Sequence, residues 1–402
     1  MPVNLDPPTH LLPVSGVTLF SAASGMRYAD RDDLLLIELV PGSVTSAVFT
    51  KNKYTAAPVD IARSHIKESM PRALLINAGN ANAANGQTGL DNALQSCEWI
   101  AEKLACSVKE VLPFSTGVIG EQLGMPAFQA GIASLEPCDW FEAAAAIITT
   151  DTVVKAVSKE VLIDGQTVTI TGITKGSGMI NPDMATMLAF VTTDARITNT
   201  CLDAMLERGV KQSFNRITVD SDTSTNDALV ISATQTVEME TIEDPSLPNA
   251  VAFYSALEEL LLELAHAIIR DGEGATKFVG VSVSEGASEQ DCELVASAVA
   301  NSPLVKTALF ASDPNWGRLV MAIGKAPVDS LNIDLLDLSI NGVTLLESGQ
   351  PADSYTEAKG KAEFEKDEIE IQIKLNTGSA SAIVWTSDLS HEYVSINADY
   401  RS

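Results

Sequence analysis

One threonine in this chain has surroundings in which its side chain could act as a nucleophile. The stretch KGSGMINPDMATMLAF, residues 175–190, places glycines on both sides of Ser177 and sets Thr186 directly after Ala185 in an apolar run. A threonine hydroxyl is a poor nucleophile unless a base lies beside it. If the peptide bond before the threonine is cut, the freed α-amino group, whose ordinary pKa is about 7.7 to 8, becomes that base.

The same threonine could make the cut itself. Its hydroxyl oxygen would attack the carbonyl carbon of Ala185 and take the acyl group from nitrogen, and water would then release that group. The side chain of Ala185 is small, and Gly176 and Gly178 permit a strained approach of the backbone. On its own, however, an Ala-Thr pair in an apolar segment is usually part of an ordinary strand.

Other common chemistries lack the residues that they need. The four histidines are far apart, and none lies at ligand spacing with another His or Cys, so no metal site is expected. Neither KGSG nor DGEGATK has the spacing of a phosphate-binding P-loop. The stretch DSDTSTND lacks the glycine and the closing glutamate of a calcium loop, which favours a turn leading into a strand. We therefore expect no metal and no cofactor.

Composition and charge exclude several classes of protein. The 402 residues are 46% hydrophobic and 20% charged, which is typical of a globular chain with a large core. A net charge of −27 without any basic cluster disfavours nucleic acid and anionic membranes as partners. The most apolar stretch, ALEELLLELAHAII, carries three glutamates that a membrane-spanning helix would not. Five scattered cysteines and the absence of a signal-peptide pattern predict a cytoplasmic protein with reduced thiols.

The elements that must position Thr186 are of both types. Apolar residues at helical spacing predict one long helix over residues 251–269 and another over residues 90–104. Alternation of apolar and polar residues from Ile369 to Leu375 predicts a strand with one solvated face. Further strands are predicted at residues 34–39, 74–76, 161–170, 229–233 and 278–284. The pattern indicates a mixed α and β protein with sheets covered by helices, not a dinucleotide-binding fold.

Many stretches of the chain resemble one protein family. The threonine segment KGSGMINPDMATML resembles the self-cleavage motif of the glutamate N-acetyltransferases, also called ornithine acetyltransferases, of arginine biosynthesis. Other stretches match that family in order along nearly the whole chain: VFTKNKYTAAPV, NAGNANAANG, FSTGVIG, TTDT, TVDSDTSTND, RDGEGATK, SDPNWGR and NADYRS. Together they are highly specific, although NAGNANAANG and TVDSDTSTND differ slightly from the wording of the family.

The resemblance implies acetyl transfer by a ping-pong mechanism after self-cleavage at Ala185-Thr186. Thr186 attacks the acetyl carbonyl of N2-acetyl-L-ornithine, so that ornithine leaves and an acetyl-threonine ester remains. L-Glutamate then attacks the ester and leaves as N-acetylglutamate. Since one amide is exchanged for another, no ATP is required. Acetyl-CoA is a possible second acetyl donor, which would make the enzyme bifunctional, and no motif decides this point.

The resemblance also assigns residues that assist Thr186. Thr116 and Gly117, in the STG turn of FSTGVIG, form the oxyanion hole for the tetrahedral intermediate. Substrate binding is assigned to Thr152, Lys175, Thr186, Glu273, Asn397 and Ser402. Lys175 suits a carboxylate, and Glu273 suits an ammonium group. Without the family, FSTGVIG would be a strand-ending turn, Glu273 a solvated turn residue, and NADYRS a frayed tail.

For the fold, the resemblance implies two stacked β-sheets sandwiched between helices. It divides the chain into an α chain, residues 1–185, and a β chain, residues 186–402, which assemble as an α2β2 heterotetramer. Two alternatives stay open: a self-cleaving aminopeptidase of related architecture, in which water replaces glutamate, and a non-catalytic acidic binding protein with an intact Ala185-Thr186 bond. The aminopeptidase should lack the set Lys175, Glu273 and Asn397, which this chain contains.

We predict that the purified protein runs as two fragments on a denaturing gel, because Thr186 cuts the bond that precedes it. N-terminal sequencing of the second fragment should read Thr-Met-Leu-Ala-Phe. Thr186→Ala should remain one inactive chain, whereas the matched variant Thr186→Ser keeps a hydroxyl and cleaves slowly. A fully active protein that stays uncut would contradict the mechanism.

Overall fold

The computed structural model describes residues 2–28, 30–181 and 187–399. The predicted cleavage site Ala185-Thr186 and the predicted substrate residue Ser402 lie outside the described residues. The chain forms two compact units. The larger unit contains Pro7–Asn215 and Asp222–Ile268, and the smaller unit contains Met1–Asp6, Arg216–Ser221 and Ile269–Tyr400.

Strands and helices are interspersed along the whole chain. The strands are β1 (Val17–Ala22), β2 (Leu34–Leu39), β3 (Val44–Phe49), β4 (Ala73–Asn80), β5 (Val111–Val118), β6 (Glu136–Pro137), β7 (Lys155–Ile163), β8 (Gln166–Lys175), β9 (Leu188–Thr193), β10 (Ile217–Thr218), β11 (Ala228–Ala233), β12 (Phe278–Gly286), β13 (Asp337–Ile340), β14 (Val343–Glu347), β15 (Gln350–Pro351), β16 (Glu368–Lys374) and β17 (Ala380–Ser387). The helices are α1 (Ala57–Glu68), α2 (Gly86–Leu104), α3 (Met125–Ala133), α4 (Trp140–Ala146), α5 (Asn199–Gln212), α6 (Pro248–Arg270), α7 (Glu289–Ala300), α8 (Pro303–Phe310), α9 (Trp316–Gly324), α10 (Glu357–Phe364) and α11 (His391–Asp399).

Two five-stranded sheets stack on each other in the larger unit. The first sheet has the order β5-β4-β2-β1-β6, and the second sheet has the order β3-β11-β9-β8-β7. Ile37 and Ile76 of the first sheet share one buried core with Ile173 and Val230 of the second. This arrangement confirms the predicted fold class of stacked sheets and helices.

Helices cover the outer faces of both sheets. Leu36 and Leu75 of the first sheet pack with Ile61 of α1 and Ile100 of α2. On the second sheet, Gly172 of β8 lies under α6, where an added Cβ would come within 2.9 Å of a methyl carbon of Leu264. The long helix predicted at residues 251–269 is therefore α6, which packs on the outer face of the second sheet.

A third sheet forms the smaller unit. The fold implied by the family resemblance, with two stacked sheets, does not include this sheet. Its strand order is β10-β17-β12-β16-β13-β14-β15. Val281 and Ile371 on one face pack against Val295 of α7 and Ile323 of α9. Along β16 the isoleucines are buried and the alternate residues are exposed or half-buried, which confirms the strand predicted from alternation at residues 369–375.

The single strand predicted at residues 161–170 is wrong. The chain turns at Asp164 and Gly165, whose φ values are 52° and 79°, so that Ile163 pairs with Gln166 in a hairpin of β7 and β8. An Asp-Gly pair between apolar runs is a strong signal for such a two-residue turn. The β-branched residues on both sides obscured that signal.

The strands on both sides of residues 182–186 are neighbours in the second sheet. Strands β8 and β9 pair antiparallel with Lys175 opposite Leu188, and β9 pairs parallel to β11 with Leu188 opposite Ala228. Lys175, Leu188 and Ala228 therefore lie side by side at one end of the sheet. The division into residues 1–185 and 186–402 passes within the larger unit and stays a prediction.

We predict that Phe190→Ala lowers the free energy of unfolding by about 3–5 kcal/mol, because it leaves a cavity between the stacked sheets. Phe190 is fully buried, and its ring meets the Phe114 ring of the first sheet edge to face at a centroid distance of 5.0 Å. Urea unfolding should show the loss. Leu162→Ala, at a side chain that is 71% exposed, is the control that should change little; equal losses in the two variants would contradict the stacked core.

Candidate active site

The predicted oxyanion-hole residues lie at a β-bulge inside β5, not in a turn. The pairing of β5 with β4 shifts register here, since Gly79 lies opposite Gly117 while Asn80 lies opposite both Thr116 and Val118. Gly117 has a φ of 130°, and a Cβ on it would lie 2.2 Å from the carbonyl carbon of Gly79. Only glycine fits such a position. A bulge also leaves backbone groups outside the regular ladder, as an oxyanion donor requires.

Lys175 reaches this bulge from the second sheet. It is the last residue of β8, is 9% exposed, and donates a hydrogen bond from Nζ to Thr116 Oγ1 at 3.2 Å. Two predicted site residues that are distant in sequence are thus brought together. They meet at the end of the sheet from which the chain leaves β8 toward the proposed cleavage site.

A buried ion pair, which the sequence did not reveal, fixes the backbone after Lys175. Asp151 Oδ1 accepts hydrogen bonds from Lys155 Nζ at 2.6 Å and from the Gly176 N–H at 2.7 Å. Burial alone would raise the pKa of Asp151, but the charges of Lys155 and Lys175 and the Gly176 N–H hold that pKa well below its usual range. The ionised carboxylate therefore ties the residue after Lys175 in place. The predicted substrate residue Thr152, next to Asp151, is exposed.

The side chains of Asn77 and Asn226 form hydrogen bonds to residues next to the bulge. Asn226 Nδ2 donates to the carbonyl oxygens of Ala81 at 2.6 Å and Ser115 at 2.9 Å, and Ser115 Oγ donates to Asn77 Oδ1 at 2.6 Å. The motifs NAGNANAANG and TVDSDTSTND meet in these contacts. Residues 220–227 do lead into a strand as predicted, but the tie from Asn226 to the first sheet was missed because nothing local to the motif indicates its partner.

Glu273 and Asn397 meet each other in the smaller unit. Asn397 Nδ2 donates to Glu273 Oε2 at 2.7 Å, and Glu273 is 8% exposed, so it is not a solvated turn residue. Ser390 Oγ donates to the Gly274 carbonyl oxygen at 2.6 Å, and a Cβ on Gly274 would lie 2.5 Å from the backbone nitrogen of Tyr393. Helix α11 is thus docked on the loop that carries Glu273. The motif NADYRS begins inside this helix, so its first residues are not a frayed tail.

The carboxylate of Asp388 binds the other end of the loop that carries Glu273. Asp388 is buried and accepts hydrogen bonds from the Thr276 N–H at 2.8 Å, from Thr276 Oγ1 at 2.6 Å and from the Lys277 N–H at 3.0 Å. Lys306 is buried nearby, and its Nζ donates to Thr386 Oγ1 at 2.7 Å. Burial lowers the pKa of Lys306 to about 7, against the opposing charges of Asp388 and Asp220.

Neither a metal-binding group of side chains nor a membrane-spanning helix occurs in the described part of the chain. Within residues 2–28, 30–181 and 187–399, no group of three or more His, Cys, Asp or Glu side chains is placed to hold a metal ion. None of the helices in that part of the chain has the length and apolar character needed to cross a bilayer. The five cysteines are free thiols, as the sequence predicted.

We predict that Lys155→Met lowers the free energy of unfolding by about 3–5 kcal/mol, because it removes the nearest partner of a fully buried carboxylate. The matched control is Lys361→Met. Lys361 also pairs with an acid four residues away, Glu365, but at 3.9 Å and with side chains 64% and 60% exposed, so this change should have no measurable effect. Urea unfolding of both variants checks the prediction, and equal stability of the two would contradict the role of the buried pair.

Comparison with known proteins confirms the family that the motifs indicated. Residues 18–402 match the model of the ArgJ family. The chain is 48% identical over 403 residues to the "Arginine biosynthesis bifunctional protein ArgJ" of Psychrobacter arcticus, with 99% of each chain covered. It is 49% identical over 406 residues to the protein of that name from Neisseria meningitidis serogroup A, with 100% of each covered. A crystal structure of arginine biosynthesis bifunctional protein argJ from Bacillus halodurans matches with a TM-score of 0.50 and 40% identity, covering 52% of this chain and 98% of that chain. This chain belongs to the ArgJ family.

Proposed function

We propose that this protein transfers the acetyl group of N2-acetyl-L-ornithine to L-glutamate in arginine biosynthesis, through an acetyl ester on Thr186. The observation that carries the proposal is the contact of Lys175 with Thr116 at the Gly117 bulge. It places a cation and a glycine backbone together at the sheet end where the chain departs toward Thr186. Relatives named as arginine biosynthesis proteins, at 48% and 49% identity over the whole chain, support the substrates.

The bulge supplies the electrostatic part of this mechanism. A tetrahedral intermediate carries a negative oxygen, and fixed donors that already point at its position stabilise it without reorganisation. The Gly117 backbone N–H and the Thr116 side chain are the donors that we assign, and Lys175 adds a positive charge beside Thr116. Removal of one donor of this kind costs about 10²–10³-fold in rate.

Self-cleavage at Ala185-Thr186 is the step that creates the nucleophile. Strands β8 and β9 lie on either side of the proposed cut, and residues 170–175 of β8 pair with residues 188–193 of β9, so the two products would stay held in one sheet. The crystallised Bacillus halodurans chain supports a cut, because 98% of it covers only 52% of this chain. The α chain 1–185, the β chain 186–402 and their α2β2 assembly are proposed from the family resemblance.

The substrate-binding roles follow from charge and from the family. Lys175 suits the α-carboxylate of the amino-acid substrates, and Glu273, held by Asn397, suits an ammonium group. Thr152 and Ser402 are proposed as further contacts on the resemblance alone. The cytoplasmic location expected from the sequence also stays a prediction.

A second acetyl donor fits the same chemistry. The relatives are named bifunctional proteins. A thioester acylates a hydroxyl more readily than an amide does, so acetyl-CoA could charge Thr186 and glutamate could then accept the acetyl group as before. We propose acetyl-CoA as a substrate in this sense, not as a bound cofactor. The aminopeptidase alternative has less support, because the set Lys175, Glu273 and Asn397 favours an amino-acid acceptor over water.

We predict parallel double-reciprocal lines when N-acetylornithine is varied at several fixed glutamate concentrations, because one hydroxyl serves both half-reactions. Intact-mass measurement without glutamate should find one acetyl group on the β chain, and Thr186→Ala should carry none. Replacing N-acetylornithine by acetyl-CoA in the same assay tests the second donor. Intersecting lines without an acetylated species would indicate direct transfer in a ternary complex.

A further inference from the structure

A buried carboxyl group that none of the steps above uses lies close to the proposed cut. Asp227 is 2% exposed and immediately precedes β11. The next residue, Ala228, donates its N–H to the carbonyl oxygen of Met187 at 3.1 Å, and Met187 is the residue that follows Thr186 in the chain. Asp227 and Met187 therefore lie side by side where the parallel strands β11 and β9 begin.

The surroundings of Asp227 leave part of its carboxyl group available for chemistry. Burial is the largest influence and raises the pKa of Asp227 well above its usual range. The Ser224 hydroxyl, the charge of Lys175 and the backbone N–H groups of Met187 and Ser224 oppose that rise. Asp227 Oδ2 is buried and has no hydrogen-bond partner among the described residues. A neutral carboxyl group with an unengaged oxygen is suited to proton transfer.

Lys175 lies at the end of the neighbouring strand β8, and its side chain has a hydrogen-bond partner. Its Nζ donates to Thr116 Oγ1, and its charge also acts on Asp151. The charge of Lys175 also acts on Asp227 and opposes the rise of its pKa. The start of β9 is thus flanked by a cation at the end of β8 and by an acid at the start of β11. The cation suits a developing oxyanion, and the acid suits a departing nitrogen.

We propose that Asp227 donates the proton that the amide nitrogen of Thr186 needs in order to leave Ala185 during self-cleavage. The inference rests on the proposed function, because it requires that Thr186 cut the bond before it. It adds a proton donor to the oxyanion donors and the nucleophile. It does not concern the acetyl-transfer half-reactions.

The step balances as an acyl shift from nitrogen to oxygen. The Thr186 oxygen forms a bond to the carbonyl carbon of Ala185, and the bond from that carbon to the Thr186 nitrogen breaks. The carboxyl proton of Asp227 goes to the nitrogen, which becomes an amine, and the hydroxyl proton of Thr186 returns to the Asp227 carboxylate. Water then hydrolyses the ester and frees the Ala185 carboxylate. No proton, electron or other reactant is needed beyond that water.

The test compares cleavage of freshly translated, pulse-labelled full-length chains. Asp227→Asn keeps the size of the side chain but removes its transferable proton, so we expect cleavage to slow about 10²–10⁴-fold. Asp227→Glu restores an acid and should cleave faster than Asp227→Asn. The matched control is Asp194→Asn. Asp194 is also buried, with a pKa raised by burial, but it follows β9 at the opposite end of the same sheet, so this change should leave the cleavage rate unaltered.

Two readouts separate proton donation from a purely structural role. The wild-type cleavage rate should be level at low pH and fall as pH rises through the pKa of Asp227, because the protonated form is the donor; Asp227→Asn should lose this dependence. Hydroxylamine, which cleaves esters, should not speed cleavage of Asp227→Asn, because the ester does not form. Rapid cleavage with hydroxylamine would show that the shift proceeds without Asp227 and would overturn the proposal.

The remaining outcomes are also decisive. Cleavage of Asp227→Asn at the wild-type rate and with the wild-type pH profile overturns the inference and leaves the proposed function intact. A wild-type chain that never cleaves overturns the proposed function itself. Circular dichroism establishes whether Asp227→Asn is folded. If it is not, Asp227→Glu decides: a folded Asp227→Glu chain that cleaves at a rate independent of pH contradicts proton donation.

Discussion

The antiparallel pairing of β8 with β9 is the constraint on which the rest of the larger unit depends. Because Lys175 lies opposite Leu188, the chain must leave β8 and return to the start of β9 within residues 176–187. The proposed cut falls in this connection, and the strand ends on both sides of the connection lie beside the β5 bulge and Asp227. The same pairing would keep the two products of the proposed cut together, since its hydrogen bonds join residues 170–175 to residues 188–193.

That sheet end carries buried charge, and each charge is compensated locally. An isolated ion in the interior of a protein is very costly, and it persists only when it is paired and hydrogen-bonded. Asp151 meets this condition through Lys155, Lys175 and the Gly176 N–H. Asp227 has weaker compensation, and burial favours its neutral form. Two carboxyl groups at one sheet end thus have opposite protonation preferences, which is the usual basis for assigning one a structural role and the other a role in proton transfer.

The sequence predicted the parts that depend on local pattern. Alternation gave the buried isoleucines of β16, helical spacing gave α6, and the motifs named Thr116, Lys175, Glu273 and Asn397, which the structure brings together in two pairs. It missed what depends on pairing between distant segments. The bulge at Gly117 exists because β4 lies against it, and Asp151 gained its importance only when folding placed Gly176 beside it. Neither partner is visible in the sequence around these residues.

The amine that the proposed cleavage would create directly precedes Met187 in the chain, so Lys175 and Asp227 are also its neighbours at the adjacent strand ends. It is bonded to the residue before Met187, and Met187 lies between Lys175 and Asp227 at the adjacent strand ends. A nearby cation lowers the pKa of an amine and so favours its neutral, basic form, whereas a nearby carboxylate raises that pKa. If Asp227 recovers its proton after the shift, as the proposed acyl-shift cycle requires, it adds no negative charge that would raise the pKa of the amine. A lower pKa favours the neutral amine, which is the form that can accept the proton of the Thr186 hydroxyl. An acid that regains its proton after the proposed cleavage would therefore assist that cleavage without making the amine a poorer base for the proposed acetyl transfer.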